Sequence, residues 1–554
     1  MSDTVDLVLT RGRIATLDAG SPVAEALAIG GGRILAVGSD DEIAPYADRA
    51  GRVVDLGGAF VMPGLVDSHC HPDGEAAKRS RWHDLSTLSG ALDDLFARIR
   101  AFDAAAPAGR WFLGYRYDEQ AVGGRHPTRA ELDAVAPGRP VFLLRRDAHV
   151  GVASSAAFAL AGVAVRHPAA AADQVAVDGQ GETTGRTGGR MTQHVVKIAN
   201  SGQGIGDFLA GFPFVFQEIA AFGITGVHNA LTAADAIDAY RRLHQDGRLP
   251  IRVAIMADGR DERLLDRLLR SGRRFGSGDA RLRLAGVEFG FDGSTSGRTA
   301  AYHQPYRPLP GDDGAVSGFV NYAADDIAEK GRAVRAAGLQ FCLTGNGDRG
   351  IDLALDAIEA SAPAGAGGPP ARIEHCCCMP LATQERFAAS GTIVSSAAAF
   401  LHDLGDSYLS QRPEGDHAWL WPHRSMMARG ALVCAHTDAP VCGRSPFTTI
   451  AAMVTRRTRS GALIGPHEAI GRLEALRAYT TCPAIAAGLG HELGTLAPGR
   501  LADITVVDTD LLACPDEAIA AASAVMTIVG GAIIFDRAGA AAAKAPARQG
   551  IGPL

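Results

Sequence analysis

Through the middle of the chain, short apolar segments alternate with segments that have helical periodicity. "ITGVHNA" precedes "AADAIDAYRRLHQDG", and "LQFCLTGNGD" precedes "IDLALDAIEASA". The first member of each pair is typical of a buried strand, and the second repeats apolar residues at helical spacing. This alternation predicts an α/β fold with a parallel sheet and crossover helices. At 554 residues, the expected form is a TIM-like (β/α)8 barrel.

The middle of the chain offers nine candidate strands, one more than such a barrel holds. Besides the two above they are "FVMPGLVD", "VFLLRR", "IRVAIMA", "LRLAGVEFGFDG", "ARIEHCCC", "TIVSSAAA" and "ALVCAHTDAP". We expect "VFLLRR", in the long region after the first strand, to lie outside the barrel.

Both ends of the chain consist of short β segments joined by turns, "VDLVLTRGRIATLD" at one end and "AVMTIVGGAIIF" at the other. We predict that the two ends combine into one composite β-sandwich. The expected boundaries are 1–58 and 491–540 for its two parts, 59–490 for the barrel and 541–554 for a C-terminal tail. The run from Ala518 to Phe535 has the length of a membrane span, but its Gly-Gly pair predicts a hairpin instead.

Composition narrows the choice of partner. The chain has 54 Lys and Arg against 61 Asp and Glu, a net charge of −7, which argues against nucleic acid or an anionic membrane. We therefore expect a small-molecule substrate. Nine cysteines, an odd number, and an N-terminus without the layout of a signal peptide favour a cytoplasmic location.

The stretch "VDSHCH" places Asp67, His69 and His71 on one side of a strand end, because strand side chains alternate. Two imidazoles at this spacing can bind one zinc ion. Taken alone, the pair is equally consistent with a hydrogen-bonded strand end.

Other predicted strands also end in ionisable residues: His228, Glu288 with Asp292, His375, and His436 with Asp438. In a barrel these ends surround one pocket. Each residue alone is more simply explained as a capping or ion-paired group. For His436, hydrogen bonds satisfied within the strand are at least as good an explanation as a position facing the pocket. As a set, they predict a common metal site.

The chain resembles the amidohydrolase superfamily, and within it amidohydrolase family 3, the N-substituted formamide deformylase-like group. The resemblance depends on "VMPGLVDSHCH", "FDGS", "GDRGIDLALDAIE", "RIEH", "TDAP" and "GTLAPGRLADITVVD", together with a long match over 126–163. These segments follow the family's order over nearly the whole chain.

The resemblance implies a barrel with one or two divalent metals at the strand ends, most simply Zn²⁺. His69, His71, His375 and Asp438 match ligand positions, and Asp438 matches the aspartate that shuttles a proton. The chain departs from the family at two positions. Glu288 stands where many relatives have a lysine, and Thr344 stands where a histidine usually lies. Since a hydroxyl is a poor zinc ligand, we predict one tightly bound ion and leave a second open. The predicted ligands of this ion are His69, His71, Glu288 and Asp438.

This site predicts hydrolysis of a C–N bond in an amide, formamide, carbamoyl or cyclic amide. Asp438 is the expected proton shuttle, and His375 a ligand or a group that polarises the substrate. An isomerase or lyase on the same metal platform is an alternative, and so is a metal-poor binding protein without catalytic activity.

The substrate itself is not readable from the sequence. Candidate substrate-binding residues are Arg145, His228, Asp292, Tyr302, His303 and Trp421. The aromatic residues could equally anchor loops, and Arg145 could equally be an ion-paired strand residue. Two stretches, Arg166 to Arg190 and Leu401 to Arg424, are expected to be loops that cover the site. Relatives are often dimeric, so the resemblance leaves a homodimer as an option.

Overall fold

The computed structural model describes residues 4–88, 90–166, 175–202, 204–309, 314–362 and 367–538. Its strands are, in chain order, β1 (Val5–Thr10), β2 (Arg13–Ala15), β3 (Val23–Ala24), β4 (Ala26–Gly30), β5 (Arg33–Gly38), β6 (Ala50–Asp55), β7 (Phe60–Pro63), β8 (Leu65–Cys70), β9 (His83–Asp84), β10 (Phe112–Tyr117), β11 (Val141–Arg145), β12 (Val150–Ala153), β13 (Val175–Val177), β14 (Thr183–Gly188), β15 (Ile224–Thr232), β16 (Arg252–Asp258), β17 (Leu282–Phe289), β18 (Gln340–Gly345), β19 (Arg372–His375), β20 (Ile393–Ser396), β21 (Val433–Ala435), β22 (Ile504–Val507), β23 (Ala524–Val529) and β24 (Ala532–Asp536).

Its α-helices are α1 (Asp40–Ala47), α2 (Pro72–Arg81), α3 (Leu92–Ala105), α4 (Arg129–Val135), α5 (Ser155–Leu160), α6 (Gly189–Ala199), α7 (Ile205–Ala221), α8 (Ala234–Gln245), α9 (Glu262–Arg270), α10 (Ala324–Ala336), α11 (Asp348–Ala360), α12 (Leu381–Ser390), α13 (Ala398–Asp403), α14 (Gly405–Gln411), α15 (His423–Ala428), α16 (Pro446–Thr455), α17 (Arg472–Ala478), α18 (Thr481–Ala486) and α19 (Asp516–Ile519). Short 3-10 turns cover Glu119–Val122, Glu414–Trp419 and Pro466–Glu468.

Eight parallel strands form the barrel, in the order β8, β15, β16, β17, β18, β19, β20 and β21. The ends meet through backbone hydrogen bonds: Asp438 N–H donates to His69 O at 3.0 Å and His71 N–H donates to Ala439 O at 2.9 Å. Every residue of β18 is buried, as expected for a strand covered on both faces. The predicted barrel is confirmed, and its carboxyl strand ends form one face.

The terminal segments share two sheets, which confirms the composite β-sandwich. One sheet has the order β24, β23, β22, β7, β2, β3 and therefore joins both ends of the chain; the other has the order β5, β4, β1, β6. Leu27 from the second sheet packs with Val61 and Ile504 from the first in one apolar core. The Gly-Gly hairpin is confirmed between β23 and β24. Within the described ranges, we find no helix both long and apolar enough to span a bilayer.

A fourth sheet is inserted in the sequence between the first two barrel strands. Its order is β13, β14, β12, β11, β10, β9, with mixed parallel and antiparallel pairs, and it packs around its own core, which includes Leu95 and Leu143. The stretch "VFLLRR" provides β11 in this sheet, so its predicted place outside the barrel is confirmed. The sheet as a whole was not predicted, because its strands are short and separated by long connections.

Both stretches expected to be covering loops contain regular structure, so that prediction is wrong. Leu401 to Arg424 folds mainly as the end of α13, then α14, a 3-10 turn and the start of α15. Their helical pattern is hard to recognise because Pro413 and Pro422 divide it into short pieces. Arg166 to Arg190 includes β13, β14 and the start of α6, while 167–174 and the predicted tail 541–554 lie outside the described residues. The domain boundaries given above stay predictions.

Candidate metal centre

Five of the predicted site residues lie together at the carboxyl ends of four barrel strands. We call them the metal cluster: His69, His71, Glu288, His375 and Asp438. His69 and His71 end the first barrel strand, Glu288 lies near the end of the fourth, His375 ends the sixth, and Asp438 follows the eighth. His375 and Asp438 have positive φ angles of 73° and 54°. Such a backbone is costly for residues other than glycine, and where it occurs it often aims a functional side chain.

Asp438 is the central acceptor of the cluster. Its Oδ1 lies 3.0 Å from His71 Nε2 and 3.4 Å from His69 Nε2. Ligand atoms of His69, His375 and Asp438 all lie within 4.8 Å of one another. Two ligand atoms on a tetrahedral zinc ion are about 3.4 Å apart, given zinc–ligand bonds of about 2.1 Å. The spacing around Asp438 therefore suits a divalent ion.

The protonation states of Asp438 and His375 also suit metal binding. Burial opposes ionisation of Asp438, but hydrogen bonds from His69 and His71 outweigh it and hold its pKa well below the usual value. Burial lowers the pKa of His375 to about 3, against the opposing charge of Asp438. At neutral pH the cluster therefore offers an ionised carboxylate and a neutral imidazole, which are the forms that bind metal.

Glu288 adds a second carboxylate to the metal cluster, beside that of Asp438. Its Oε2 accepts the Leu231 N–H at 3.0 Å, and its Oε1 lies 3.8 Å from His69 Nδ1. Burial raises the pKa of Glu288, and the nearby charge of Glu374 raises it further, although His69 opposes both.

A buried network of ion pairs and hydrogen bonds fixes the position of His69. This network was not predicted from the sequence. His69 Nδ1 lies 3.0 Å from Glu374 Oε2. Arg372 Nη2 donates to the same oxygen at 3.0 Å, and Arg372 Nη1 lies 2.8 Å from His228 Nδ1. Glu374 thus holds His69 Nδ1, while Nε2 faces Asp438 at 3.4 Å, an arrangement typical of metal-binding histidines. The signal in the sequence was the alternation of Arg372 and Glu374 within "RIEH".

His436 lies deeper in the same group of rings. Its ring centroid lies 4.7 Å from that of His69 and 5.3 Å from that of His375. Ligand atoms of His69, Glu374 and His436 form a second set within 4.8 Å of one another.

The pattern of unsatisfied atoms fits a bound cation. Among the residues that the structure describes, Glu288 Oε1, His375 Nδ1 and both ring nitrogens of His436 are buried without a hydrogen-bond partner. Buried polar atoms are nearly always paired, so a group of unpaired polar atoms in one place needs an explanation. A divalent ion with nitrogen and oxygen ligands would satisfy acceptors of this kind.

The end of the fifth strand is built differently, and we call Asp292, Thr344 and Asn346 the polar cap. Thr344 Oγ1 accepts the Phe291 N–H at 2.7 Å and the Asp292 N–H at 3.2 Å. Asp292 accepts N–H groups from Asn346 and Gly347, each at 3.0 Å. Burial raises the pKa of Asp292 to about 6, against those hydrogen bonds. The Thr344 hydroxyl is therefore used within the fold.

The remaining candidate substrate residues have other partners. His228 is buried against Arg372. Arg145 pairs with Glu119 at 2.7 Å and Asp147 at 2.9 Å. Tyr302 OH lies 2.8 Å from Thr295 Oγ1, and the Tyr302 ring lies 3.5 Å from the Arg412 guanidinium. His303 pairs with Asp352 at 2.9 Å, and buried Trp421 packs on Tyr408. The structure does not bring these six residues, Asp292 among them, together at the metal cluster, so their role in substrate binding stays a prediction.

A cavity of about 510 Å³ lies on the same face, between the inserted sheet and the barrel. Its lining includes Asp118 and Arg146 from the inserted segment, His402 from α13, and Pro440, two residues beyond Asp438. This volume is typical of small-molecule sites. The cavity adjoins the cluster through the segment after the eighth strand.

Comparison with known proteins agrees with this architecture. N-substituted formamide deformylase from Arthrobacter pascens is 28% identical over 550 residues, covering 97% of this chain and 100% of that protein. The Arabidopsis thaliana protein LONG AFTER FAR-RED 3 is 28% identical over 523 residues, covering 91% and 87%.

A solved structure of an uncharacterised metal-dependent hydrolase from Pyrococcus horikoshii OT3 superposes with a TM-score of 0.73 at 26% identity, covering 92% of this chain and 99% of that one. The model of the amidohydrolase family matches residues 52–535, which includes the whole barrel and the sandwich strands β7, β22 and β23. The chain belongs to the amidohydrolase family.

Proposed function

We propose that this protein is a metal-dependent hydrolase that cleaves a C–N bond of a small molecule. The observation that carries the proposal is the grouping of His69, His375 and Asp438, with ligand atoms within 4.8 Å of one another, at the face where barrel enzymes hold their active sites. We further propose Zn²⁺ as the ion, held by His69, His71, Glu288 and Asp438, with His375 as a second-position ligand or as the group that polarises the substrate.

When bound, a divalent ion supplies a Lewis acid that lets water lose a proton near neutral pH. The protein supplies the remaining functions. Ionised Asp438 accepts the proton of the attacking water and returns it to the leaving nitrogen, which completes the cleavage without a net proton change. Neutral His375 can donate a ring N–H to the substrate oxygen as charge develops there. Glu374 and Arg372 keep His69 in the required tautomer and orientation.

The substrate class is the finer part of the proposal. The name of the Arthrobacter relative makes N-substituted formamides the first compounds to test, followed by other N-acyl compounds and cyclic amides. The cavity beside Pro440 offers room for the group attached to the nitrogen. A homodimer in the cytoplasm stays a prediction, which light scattering and cell fractionation would check.

The test combines Asp438→Asn with metal analysis and with turnover in oxygen-18 water. We expect turnover of the variant to fall about 10²–10⁴-fold, which is the contribution typical of a general acid–base group. We expect the product formed by the wild-type protein to contain the oxygen-18 label. Asp406→Asn is the matched control, because Asp406 bonds Thr458 and Ser460 instead of the cluster. Full activity in Asp438→Asn, or an active protein free of metal, would refute the proposal. Unlabelled product would favour an isomerase or lyase.

A further inference from the structure

The eighth barrel strand provides an imidazole that the proposed mechanism does not use. His436 follows β21 directly and lies two residues before Asp438. Its backbone N–H donates to Ser396 O at 3.0 Å, so the strand pairing extends to this residue. Its ring lies close to the rings of His69 and His375, so the His436 side chain points into the barrel.

The fifth strand, by contrast, provides no imidazole at its end. Thr344 stands there, and its hydroxyl accepts two backbone N–H groups of the Phe291–Asp292 turn. The metal cluster therefore receives a nitrogen ligand from the first and sixth strands but none from the fifth.

His436 is buried completely, and within the described part of the chain neither of its ring nitrogens has a hydrogen-bond partner. A neutral imidazole has one donor and one acceptor nitrogen, and each buried group left unpaired lowers stability. Two other buried histidines show how the fold normally avoids this cost. His423 lies 2.7 Å from Ser396 Oγ, and His228 lies 2.8 Å from Arg372 Nη1.

The surroundings of His436 indicate what its missing partner is. The carboxylate grouped with His436, Glu374, already forms an ion pair, because Arg372 Nε lies 2.5 Å from its Oε1 and Arg372 Nη2 donates to its Oε2. The rings of His69 and His375 both lie close to the His436 ring, with centroids 4.7 Å and 5.3 Å away. An imidazole with free nitrogens among metal-binding imidazoles is itself placed to bind a metal.

We propose that His436 is a further metal ligand, which supplies from the eighth strand the imidazole that Thr344 does not supply from the fifth. The inference rests on the proposed function, since it requires an ion in the metal cluster. Glu374 then acts as a positioning residue for His69, and His436 provides the nitrogen.

The first test measures zinc affinity by competition with a chelator, using His436→Gln. We expect affinity to fall at least 10-fold, because even residues that only orient a ligand typically contribute 10–100-fold. His423→Gln is the matched control: it makes the same exchange at a buried histidine whose nitrogens have protein partners, and it should leave zinc affinity unchanged. Equal affinity in His436→Gln and wild type would overturn the inference.

A second variant keeps the test decisive if His436→Gln folds poorly. In cobalt-substituted His436→Cys, a thiolate on the ion produces a near-ultraviolet charge-transfer band that wild type lacks. Folded variant with bound cobalt and no such band would show that position 436 does not reach the ion. The two hypotheses fail separately: a wild-type protein that binds no metal refutes both, whereas metal-dependent wild type with an unaltered His436→Gln refutes only the role of His436.

Discussion

The metal cluster and the polar cap lie on the same face of the barrel and are both largely buried, but they differ in how their polar atoms are satisfied. In the polar cap, the Thr344 hydroxyl and the Asp292 carboxylate accept backbone N–H groups at 2.7–3.2 Å. In the metal cluster, Glu288 Oε1 and His375 Nδ1 have no partner among the described residues. Both regions contain the residue types that usually bind metals, so residue type alone does not distinguish them.

The difference suggests a criterion for separating structural from functional polar residues. A buried group that the fold satisfies contributes to stability, and its loss should destabilise the protein. A buried group that the fold leaves unpaired costs stability and is retained for a ligand or for catalysis. Substitutions in the two regions should therefore affect different measurements.

The largest effect is expected for His375→Gln. Turnover should fall on the order of 10²–10³-fold, as when a donor to a developing oxyanion is removed. The thermal midpoint should change little, because no described residue bonds His375 Nδ1. Steady-state kinetics and thermal melts on the same preparation would check both parts. If the melting temperature fell steeply while turnover per folded molecule stayed constant, His375 would belong with the structural residues.

Asp292→Ala should show the opposite behaviour. It would leave the N–H groups of Ala301, Asn346 and Gly347 without their acceptor, at about 1 kcal/mol each, or about 3 kcal/mol in total. The midpoint of denaturant unfolding would measure this loss. Asp292→Asn, which keeps one acceptor oxygen, should lose less. A stable Asp292→Ala variant with impaired substrate binding would instead support the predicted role of Asp292 in recognition.

Much of the fold was predictable because it follows from local patterns. Each barrel strand is a short apolar run followed by a helical pattern. The two ends of the chain share short β segments joined by turns, and this similarity indicated the composite sandwich. The first-strand ligands were predictable for the same reason, since His69 and His71 follow strand alternation. The inserted sheet was not predictable, because its strands β9 and β13 have only two and three residues, too few to show the alternation of apolar and polar residues typical of a strand.

The rest of the site depends on backbone geometry that the sequence does not display. Strand alternation places Arg372 and Glu374 on one face and would turn His375 to the other. A positive φ of 73° at His375 instead brings its ring within 4.9 Å of the His69 ring. The Arg372–Glu374–His228 network was missed because a charged pair in an apolar strand is normally expected to face solvent.

A smaller effect is expected for Thr344→Val, which preserves shape and removes the hydroxyl. The N–H groups of Phe291 and Asp292 would lose their acceptor, at a cost of about 1–2 kcal/mol. Zinc content should stay at the wild-type level, because the hydroxyl is used within the polar cap. Thr344→Ser is the control that keeps the acceptor. Loss of zinc in Thr344→Val with normal zinc in Thr344→Ser would place the hydroxyl at the ion and weaken the contrast between the two regions.

The smallest effect concerns His423, a buried histidine whose ring nitrogens have hydrogen-bond partners. We expect it to appear as a dependence of stability on pH. Burial lowers the pKa of His423 well below its ordinary value of 6.5, and Arg456 lowers it further. Between the folded pKa and 6.5 the unfolded chain therefore binds more protons than the folded one. Stability should fall as pH decreases below about 6.5, by at most about 1.4 kcal/mol per pH unit for this group.

His423→Gln should remove that contribution. Unfolding midpoints in denaturant, measured from about pH 7.5 to about pH 5.5, should decrease less steeply for the variant than for wild type. The measurement is best made on metal-free protein, because proton competition at the metal cluster would add a second dependence of the same sign. Parallel curves would mean that His423 titrates alike in both states. Its contacts with Ser396 and Arg456 would then not keep it neutral, and satisfied and unsatisfied histidines would no longer differ in the way proposed here.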